Sequence, residues 1–352
     1  MSVFDLPAFD DHEAVHIFND EKTGMRAIIA IHSTHLGPAA GGCRYFQYAD
    51  SEAALVDALR LSRGMSYKNA LAGLPAGGGK AVLIKRNAFP KSEPILEALG
   101  SAINGLGGRY VTAEDVGMTD EDMTVISRRT RHVSGLPVAG DADAKKVGGN
   151  PGPWTAEGVF LGMRAAVRHR LGREGFKGIR VAVQGLGSVG RALAQKLAAD
   201  GARLTVADID EARAARLAGE LRAQVVPPEE ILAVEADVLA PCAMGAVLNE
   251  ATIPDLNVQI IAGAANNQLQ RPEDGERLKA RDILYAPDYV VNAGGIINVM
   301  AEYLGDGDTD AVMARIVKIE DRVGEILARA DSEGEATNLM ADRMAREAIG
   351  RS

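Results

Sequence analysis

Two periodicities divide the chain. Residues 25–33, Met-Arg-Ala-Ile-Ile-Ala-Ile-His-Ser, form a β-branched run that predicts a strand, and a glycine-rich loop follows at 37–42. Within 51–63, Ala54, Leu55, Ala58, Leu59 and Leu61 fall close to helical spacing, with Ser51 as the candidate N-cap. A Gly/Pro loop (73–79), a strand (80–84), a helix (93–106) and a strand (109–113) follow, the last leading into Glu114 and Asp115. Gly148, Gly149, Pro151, Gly152 and Pro153 favour turns, so residues 141–153 read as an interdomain hinge. Beyond it, helical stretches alternate with short apolar strands at 178–184, 203–208, 236–240, 259–263 and 283–286. Strands apolar on both sides and separated by helices indicate a parallel sheet covered on both faces. The last forty residues, from Asp310, read as two helices. The expected fold class is α/β in two domains, 1–140 and 150–330, with the helices of 330–352 available to pack back on the first.

Composition narrows the function classes. The 352 residues are 47% hydrophobic and 25% charged, which excludes a disordered or fibrous chain. A net charge of −9, no basic tract and 4% aromatic residues argue against a nucleic-acid partner, which needs clustered cations and stacking rings. Two distant cysteines, Cys43 and Cys242, suit a reducing compartment and leave no disulfide framework. No His, Cys and carboxylate residues have metal-ligand spacing, so no metal is expected. The first residues lack a basic region followed by an apolar run, and no long uncharged apolar stretch occurs, so neither a secretory leader nor a membrane span is expected. A cytoplasmic protein is the expectation.

The strongest local signal is Val181-Ala-Val-Gln-Gly185-Leu186-Gly187-Ser188-Val189-Gly190. A strand leads into G-x-G-x-x-G, and an alanine-rich helix follows. Gly185 permits the tight turn, Gly187 lets a pyrophosphate approach the backbone, and Gly190 allows close helix–strand packing, while the helix start favours the phosphate charge. Asp208 ends the next strand at the offset of a ribose-binding acid, although Asp210 lies close by. The context defines a dinucleotide-binding, Rossmann-type doubly wound sheet. A carboxylate at the ribose repels a 2′-phosphate, which favours NAD over NADP.

Three ionisable residues of the first domain stand out: Lys68 in Gly-Met-Ser-Tyr-Lys-Asn, Lys80 after a triple glycine, and Asp115 in Thr-Ala-Glu-Asp-Val-Gly. Most lysines are simply exposed, which is the plain alternative. A P-loop at Gly79-Lys80 fails because Ala81 stands where Ser or Thr is needed. A pyridoxal phosphate Schiff base on Lys80 would leave the dinucleotide site unexplained.

From Gly37 to Gly117 and from Pro151 to Val299, however, the chain resembles the leucine/phenylalanine/valine dehydrogenases of the glutamate dehydrogenase superfamily. The matching stretches are 37–44, 64–70, 77–82, 112–117, 240–245, 262–268 and 292–298, in the family's order. The resemblance implies a first domain for substrate and oligomer contacts, a C-terminal NAD domain, a homo-oligomer, and an active site in the cleft between the two. It implies reversible oxidative deamination: an L-amino acid and NAD give a 2-oxo acid, ammonia and NADH. Lys68 then matches the cation for the substrate carboxylate, helped by Asn267. Lys80 matches the base that activates water, its pKa lowered by burial and by the charge of Lys68. Asp115 matches the acid that exchanges protons with the amine. Gly41 and Gly42 would let the backbone approach the substrate. Thr155, Cys242 and Ala243 match positions beside the nicotinamide, with Cys242 as a packing residue. The six histidines fall outside every matched motif.

Glutamate-specific relatives place a lysine where this chain has Ala40 and a serine where it has Val299. The implied side-chain pocket, lined by Ala40, Ala113, Ile296 and Val299, is apolar, and a substrate carboxylate there would lack a partner. The reading is therefore a leucine/valine/isoleucine type of enzyme. A phenylalanine enzyme with the same mechanism is second, because Ala40 is smaller than in leucine-type members. A non-catalytic NAD-binding protein is a distant third.

Overall fold

The structure, a computed structural model, describes residues 2–137, 147–305 and 308–351. Positions 141–146 of the expected hinge lie outside these. The chain divides into two compact units, 1–150 with 296–312 and 345–352, and 151–295 with 313–344.

The first unit is built on a mixed six-stranded sheet. Its strands are β1 (Ala14–Asp20), β2 (Met25–Ser33), β3 (Ala39–Ala40), β4 (Cys43–Phe46), β5 (Gly77–Ile84) and β6 (Tyr110–Val111). They run in the order β1-β2-β5-β3-β6, with β4 also on β5. Every residue of β2 except Arg26 is buried, as the unbroken apolar run demands, whereas edge strand β1 has no fully buried residue. Three helices, α1 (Ser51–Leu71), α2 (Glu93–Gly105) and α3 (Asp120–Ser127), accompany the sheet. Ile29, Ile31 and Leu83 pack with Leu99, Ile103 and Ile126 in the larger core, and Ile28 and Val82 with Ala58 and Leu59 in the smaller.

Two expectations change here. Helix α1 runs eight residues further than its pattern suggested, and its cap is Asp50, whose Oδ1 accepts the Ala53 N–H at 2.8 Å. The triple glycine is strand, not loop. A Cβ on Gly77 would sit 1.9 Å from the Ser33 carbonyl oxygen, and one on Gly78 would sit 2.0 Å from the Ser66 nitrogen. Strand β5 is glycine-rich because its neighbours leave no room for side chains.

The second unit holds six parallel strands: β7 (Arg180–Gln184), β8 (Arg203–Ala207), β9 (Gln224–Val225), β10 (Val238–Pro241), β11 (Ile260–Ile261) and β12 (Leu284–Tyr285). Their order, β12-β11-β10-β7-β8-β9, reverses between β7 and β10, the topological switch point of a doubly wound sheet. Helices α4 (Gly152–Leu171), α5 (Ser188–Ala199), α6 (Glu211–Leu221), α7 (Glu273–Ala280) and α8 (Asp288–Val291) belong to this unit. After them come α9 (Gly294–Leu304), α10 (Thr309–Ile316), α11 (Lys318–Glu333) and α12 (Thr337–Ala348), so the last forty residues carry three helices, not two.

The division also differs from the expected one. Residues 296–312 go with the first unit, and only 345–352, not the whole of 330–352, join it. Helix α11 stays in the second unit because α4 offers it glycines: a Cβ on Gly158 would lie 2.8 Å from Ile319 Cδ1, and one on Gly162 would lie 3.4 Å from Val323 Cγ2. Among the described residues no helix is long and apolar enough to cross a membrane, and no cluster of His, Cys, Asp and Glu could hold a metal ion.

Candidate active site

In the first unit the glycines of β5 and of the turn after β3 are packed too closely for side chains, and charged groups lie beside them. Lys80 lies in β5 opposite Ala30 of β2, with its side chain only 6% exposed. Its Nζ donates to Asp115 Oδ2 at 2.7 Å. Asp115 sits just past β6, where a parallel bridge from Cys43 to Glu114 ties the loop to β4. A Cβ on Gly42 would come 2.8 Å from Asp115 Cβ and 2.6 Å from the Glu114 carbonyl oxygen. Gly41 is equally tight, because a Cβ there would meet the Gly79 carbonyl oxygen at 1.9 Å and Met65 Cγ at 3.0 Å. These glycines hold the Lys80–Asp115 pair against the backbone.

Burial acts to raise the Asp115 pKa, but the charges of Lys80 and Arg44 outweigh it and hold the carboxyl below its usual range. The charge in contact with Lys80 is thus an anion, where the sequence reading had invoked Lys68. Lys68 is half-buried in the last turn of α1. Asn69, beside it, fixes that turn over the glycine strands by donating to the carbonyls of Gly77 (2.6 Å) and Ala40 (3.3 Å). Ala40 and Ala113 are buried, while Ile296 and Val299 are half-buried. The Val299 carbonyl accepts from Ser134 Oγ at 2.7 Å, and Glu302 accepts from the N–H groups of Gly135 and Leu136. Burial pushes the Cys43 thiol up to about 12, so it is inert.

In the second unit the glycine loop after β7 has a cradle's geometry. Gly185 has φ +90°, a conformation that disfavours a side chain. A Cβ on Gly190 would stand 2.0 Å from the Gly185 carbonyl oxygen, so α5 packs directly on the loop. A Cβ on Gly187 would meet nothing within 4 Å, so the space above it is open, and no side chain caps the start of α5 at this residue. An anion fits at such a helix start, and the phosphates of a dinucleotide fit this open, uncapped end.

Asp208 is nearly enclosed. It accepts the Leu186 N–H on Oδ2 at 2.6 Å and the Asp210 N–H on Oδ1 at 2.8 Å, with Arg213 Nη1 at 3.2 Å. Burial works to raise its pKa, and the backbone donors and Arg213 overcome this and hold it low. Asp210, the other acid near the fingerprint, is spent as the N-cap of α6, accepting the Arg213 N–H at 2.9 Å.

The loops after β10 and β11 lie at the same carboxyl ends of the strands. Cys242 donates its N–H to the Gln184 carbonyl at 2.7 Å, and Ala243 abuts Gly185. Burial pushes the Cys242 thiol up to about 12. Asn267 is exposed with φ +52°, between exposed Asn266 and buried Gln268. Gln268 donates its backbone N–H to Asp288 Oδ2 at 2.7 Å, and Asn292 Nδ2 donates to Asn266 Oδ1 at 2.8 Å. Thr155 Oγ1 donates to the Pro151 carbonyl at 3.0 Å in the first turn of α4. Ser188 and Val189 open α5.

Sequence reasoning assigned no role to Arg44, Asn69, Gln268 or Asn292, although all four lie inside the motif stretches. Asp57 carried no signal.

A doubly wound sheet with a glycine cradle at its switch point is the fold of dinucleotide-dependent enzymes, and here it shares one chain with a lysine–aspartate pair. Comparison with known proteins makes this specific. Residues 12–132 match the family model for the Glu/Leu/Phe/Val dehydrogenase dimerisation domain, and residues 205–342 match that for glutamate/leucine/phenylalanine/valine dehydrogenase. Leucine dehydrogenase of Thermoactinomyces intermedius is 46% identical over 99% of this chain and 94% of its own length. Valine dehydrogenase of Streptomyces virginiae is 45% identical over 96% and 93%. The crystal structure of L-tryptophan dehydrogenase from Nostoc punctiforme superposes with a TM-score of 0.85 at 43% identity over 96% of each chain. The chain belongs to the glutamate/leucine/phenylalanine/valine dehydrogenase family and is an amino acid dehydrogenase, an oxidoreductase of an NAD(P)-dependent family.

Proposed function

We propose that the protein is a cytoplasmic homo-oligomer that catalyses the NAD-dependent, reversible oxidative deamination of leucine, valine and isoleucine. The observation that carries this reading is the Lys80 Nζ–Asp115 Oδ2 contact at 2.7 Å, packed against close-set glycines. Bound NAD supplies the acceptor for the hydride that leaves the substrate α-carbon, held by the loop 185–190 and Asp208, with Thr155, Cys242 and Ala243 at the nicotinamide. Lys68 and Asn267 hold the substrate carboxylate, which replaces a chance encounter with a fixed orientation. Asp115, kept anionic by its two cationic neighbours, takes a proton from the substrate ammonium. Lys80, which gives its own proton to solvent when the substrate ammonium binds beside Asp115, takes a proton from the water that adds to the iminium carbon once the hydride has left. Asp115 returns its proton to the carbinolamine nitrogen, ammonia leaves, and the hydroxyl proton passes to solvent, leaving the 2-oxo acid.

An apolar side chain suits Ala40, Ala113, Ile296 and Val299, whereas a carboxylate beside them would lose its hydration unpaired, at a cost of about 2–7 kcal/mol on transfer scales for polar groups and more for a charge. Aromatic substrates are the second reading, favoured by the small Ala40 and by the 43% identity to a tryptophan dehydrogenase. One methylene discriminates by only about 1–3 kcal/mol, so the two readings share a mechanism and differ in degree. NAD is favoured because the Asp208 carboxylate opposes a 2′-phosphate. The homo-oligomer is supported by the match of residues 12–132 to a dimerisation domain.

The test is a panel of leucine, valine, isoleucine, phenylalanine, tryptophan and glutamate, each with NAD and with NADP, followed by absorbance of the reduced cofactor. The expected result is the highest kcat/KM with a branched-chain substrate and NAD. Reduction with glutamate alone, or with none of the six, would overturn the reading.

A further inference from the structure

One carboxylate oxygen in the first unit is held by two cations. Asp115 Oδ2 accepts from Lys80 Nζ at 2.7 Å and from Arg44 Nε at 3.0 Å. The same guanidinium donates through Nη1 to Asp57 Oδ2 at 3.0 Å, and that oxygen also accepts the Tyr48 hydroxyl at 2.6 Å. Burial and the Asp57 carboxylate push the Tyr48 phenol well up, so it keeps its proton and stays a donor. Charge therefore alternates along a row that starts on β5, crosses the loop after β6 and strand β4, and ends on α1. The side chains of Arg44, Asp57 and Asp115 are each less than one quarter exposed, so solvent screens the row poorly.

We infer that Arg44 and Asp57 are positioning residues for the deamination: Arg44 fixes the carboxylate of Asp115, and Asp57 behind it limits how much positive charge that carboxylate feels. This rests on the roles given to Lys80 and Asp115 above. Two donors on one oxygen anchor the carboxylate and leave Oδ1 outside the row. A planar guanidinium can hold two carboxylates at a set angle, which an ammonium cannot. The Cys43 thiol of β4, the Tyr110 phenol of β6 and neighbouring Glu114 also feel the charge of Asp115, and Glu114 in turn faces Asp120, Glu121 and Asp122 at the start of α3. Of these acids, Asp122 is paired with Lys91. Burial, then the nearby acids, raises the Glu114 pKa.

The sign of the effect is set by electrostatics. Whichever member of the coupled cluster limits the rate at acid pH, removing a cation moves that limb up, and removing an anion moves it down. Arg44→Gln is expected to shift the acidic limb of kcat/KM for the amino acid to higher pH and to lower kcat about 10²-fold, the scale of a misplaced catalytic group. Asp57→Asn is expected to shift the limb the opposite way, with a smaller loss in kcat. Arg44→Lys keeps the charge, so its limb stays near the wild-type position while kcat is still reduced. KM for NAD is expected to hold in all three.

A purely structural role would lower kcat without displacing the limb. Limbs that stay put, or that move the same way in Arg44→Gln and Asp57→Asn, overturn the inference. If Arg44→Gln does not fold, the downward shift in Asp57→Asn decides alone. Asp115→Asn in the same assay separates the two levels. Wild-type turnover in that variant removes the roles of Lys80 and Asp115 and this inference with them, whereas lost turnover with unmoved limbs removes only the inference.

Discussion

In the proposed reaction the two units contribute by opposite means. The first relies on side-chain charge: Lys80, Asp115, Arg44 and Asp57 compensate one another at 2.7–3.0 Å beside closely packed glycines. The second relies on backbone: an uncapped helix start, a glycine at φ +90° and a carboxylate engaged with two main-chain N–H groups. The difference teaches what each half can tolerate. Charge balance is graded, so single substitutions retune it. A glycine in contact with a carbonyl is all or nothing, because backbone cannot move aside cheaply.

The contrast breaks most visibly at Gly190. A Cβ there would lie 2.0 Å from the Gly185 carbonyl oxygen, so Gly190→Ala is expected to destabilise the second unit by about 3 kcal/mol, the upper range for overpacking. Its companion, Gly187→Ala, meets nothing within 4 Å and is expected to melt like the wild type yet bind NADH more weakly. Thermal melts with NADH titration distinguish the two, and equal melting temperatures would contradict the close-packed loop.

Gly42 lets the comparison cross over, since here a glycine protects a charge pair. Gly42→Ala would press on Asp115 Cβ from 2.8 Å, and a displacement of that order is expected to lower kcat/KM about 10²-fold with NADH affinity intact. Steady-state kinetics beside NADH titration would show the split.

The smallest effect concerns a histidine whose burial outweighs the carboxylate near it. His12 accepts the Asp10 N–H on Nδ1 at 3.1 Å and donates from Nε2 to the Leu59 carbonyl at 3.0 Å, an arrangement that only the neutral ring allows. Burial is the main cause that lowers its pKa to about 4. Between pH 6.5 and 4 the unfolded chain binds the proton and the folded one does not, so stability falls with falling pH through that window. The loss expected from His12 by pH 5 is about 2 kcal/mol. His12→Gln, which retains a donor for Leu59, is expected to flatten the difference between melts at pH 7 and pH 5.

How much of this was legible in the sequence follows from the same contrast. The glycine fingerprint could be read because its geometry is local: turn, helix start and strand end fall within ten residues, and β7, β8 and α5 appear where the pattern puts them. The alternating charge row could not be read, because Arg44, Asp57, Lys80 and Asp115 come from four elements whose proximity is tertiary. Arg44 lay in view within a motif, but nothing local says it meets Asp115. The glycines of β5 read as loop because local propensity disfavours them in strands, whereas their cause is the approach of Ser33, Ser66 and Tyr110. Edge strand β1 escaped for lack of a fully buried face. The course of α11 escaped because the glycines that admit it lie on α4, far away in sequence.

The most direct test replaces the buried amine. Lys80→Ala should bind NADH as the wild type does while turnover with leucine falls by about 10²–10⁴-fold or more, the share of a lost acid–base group. Undiminished turnover in a variant with intact NADH binding would mean that the amine beside Asp115 takes no part in the chemistry.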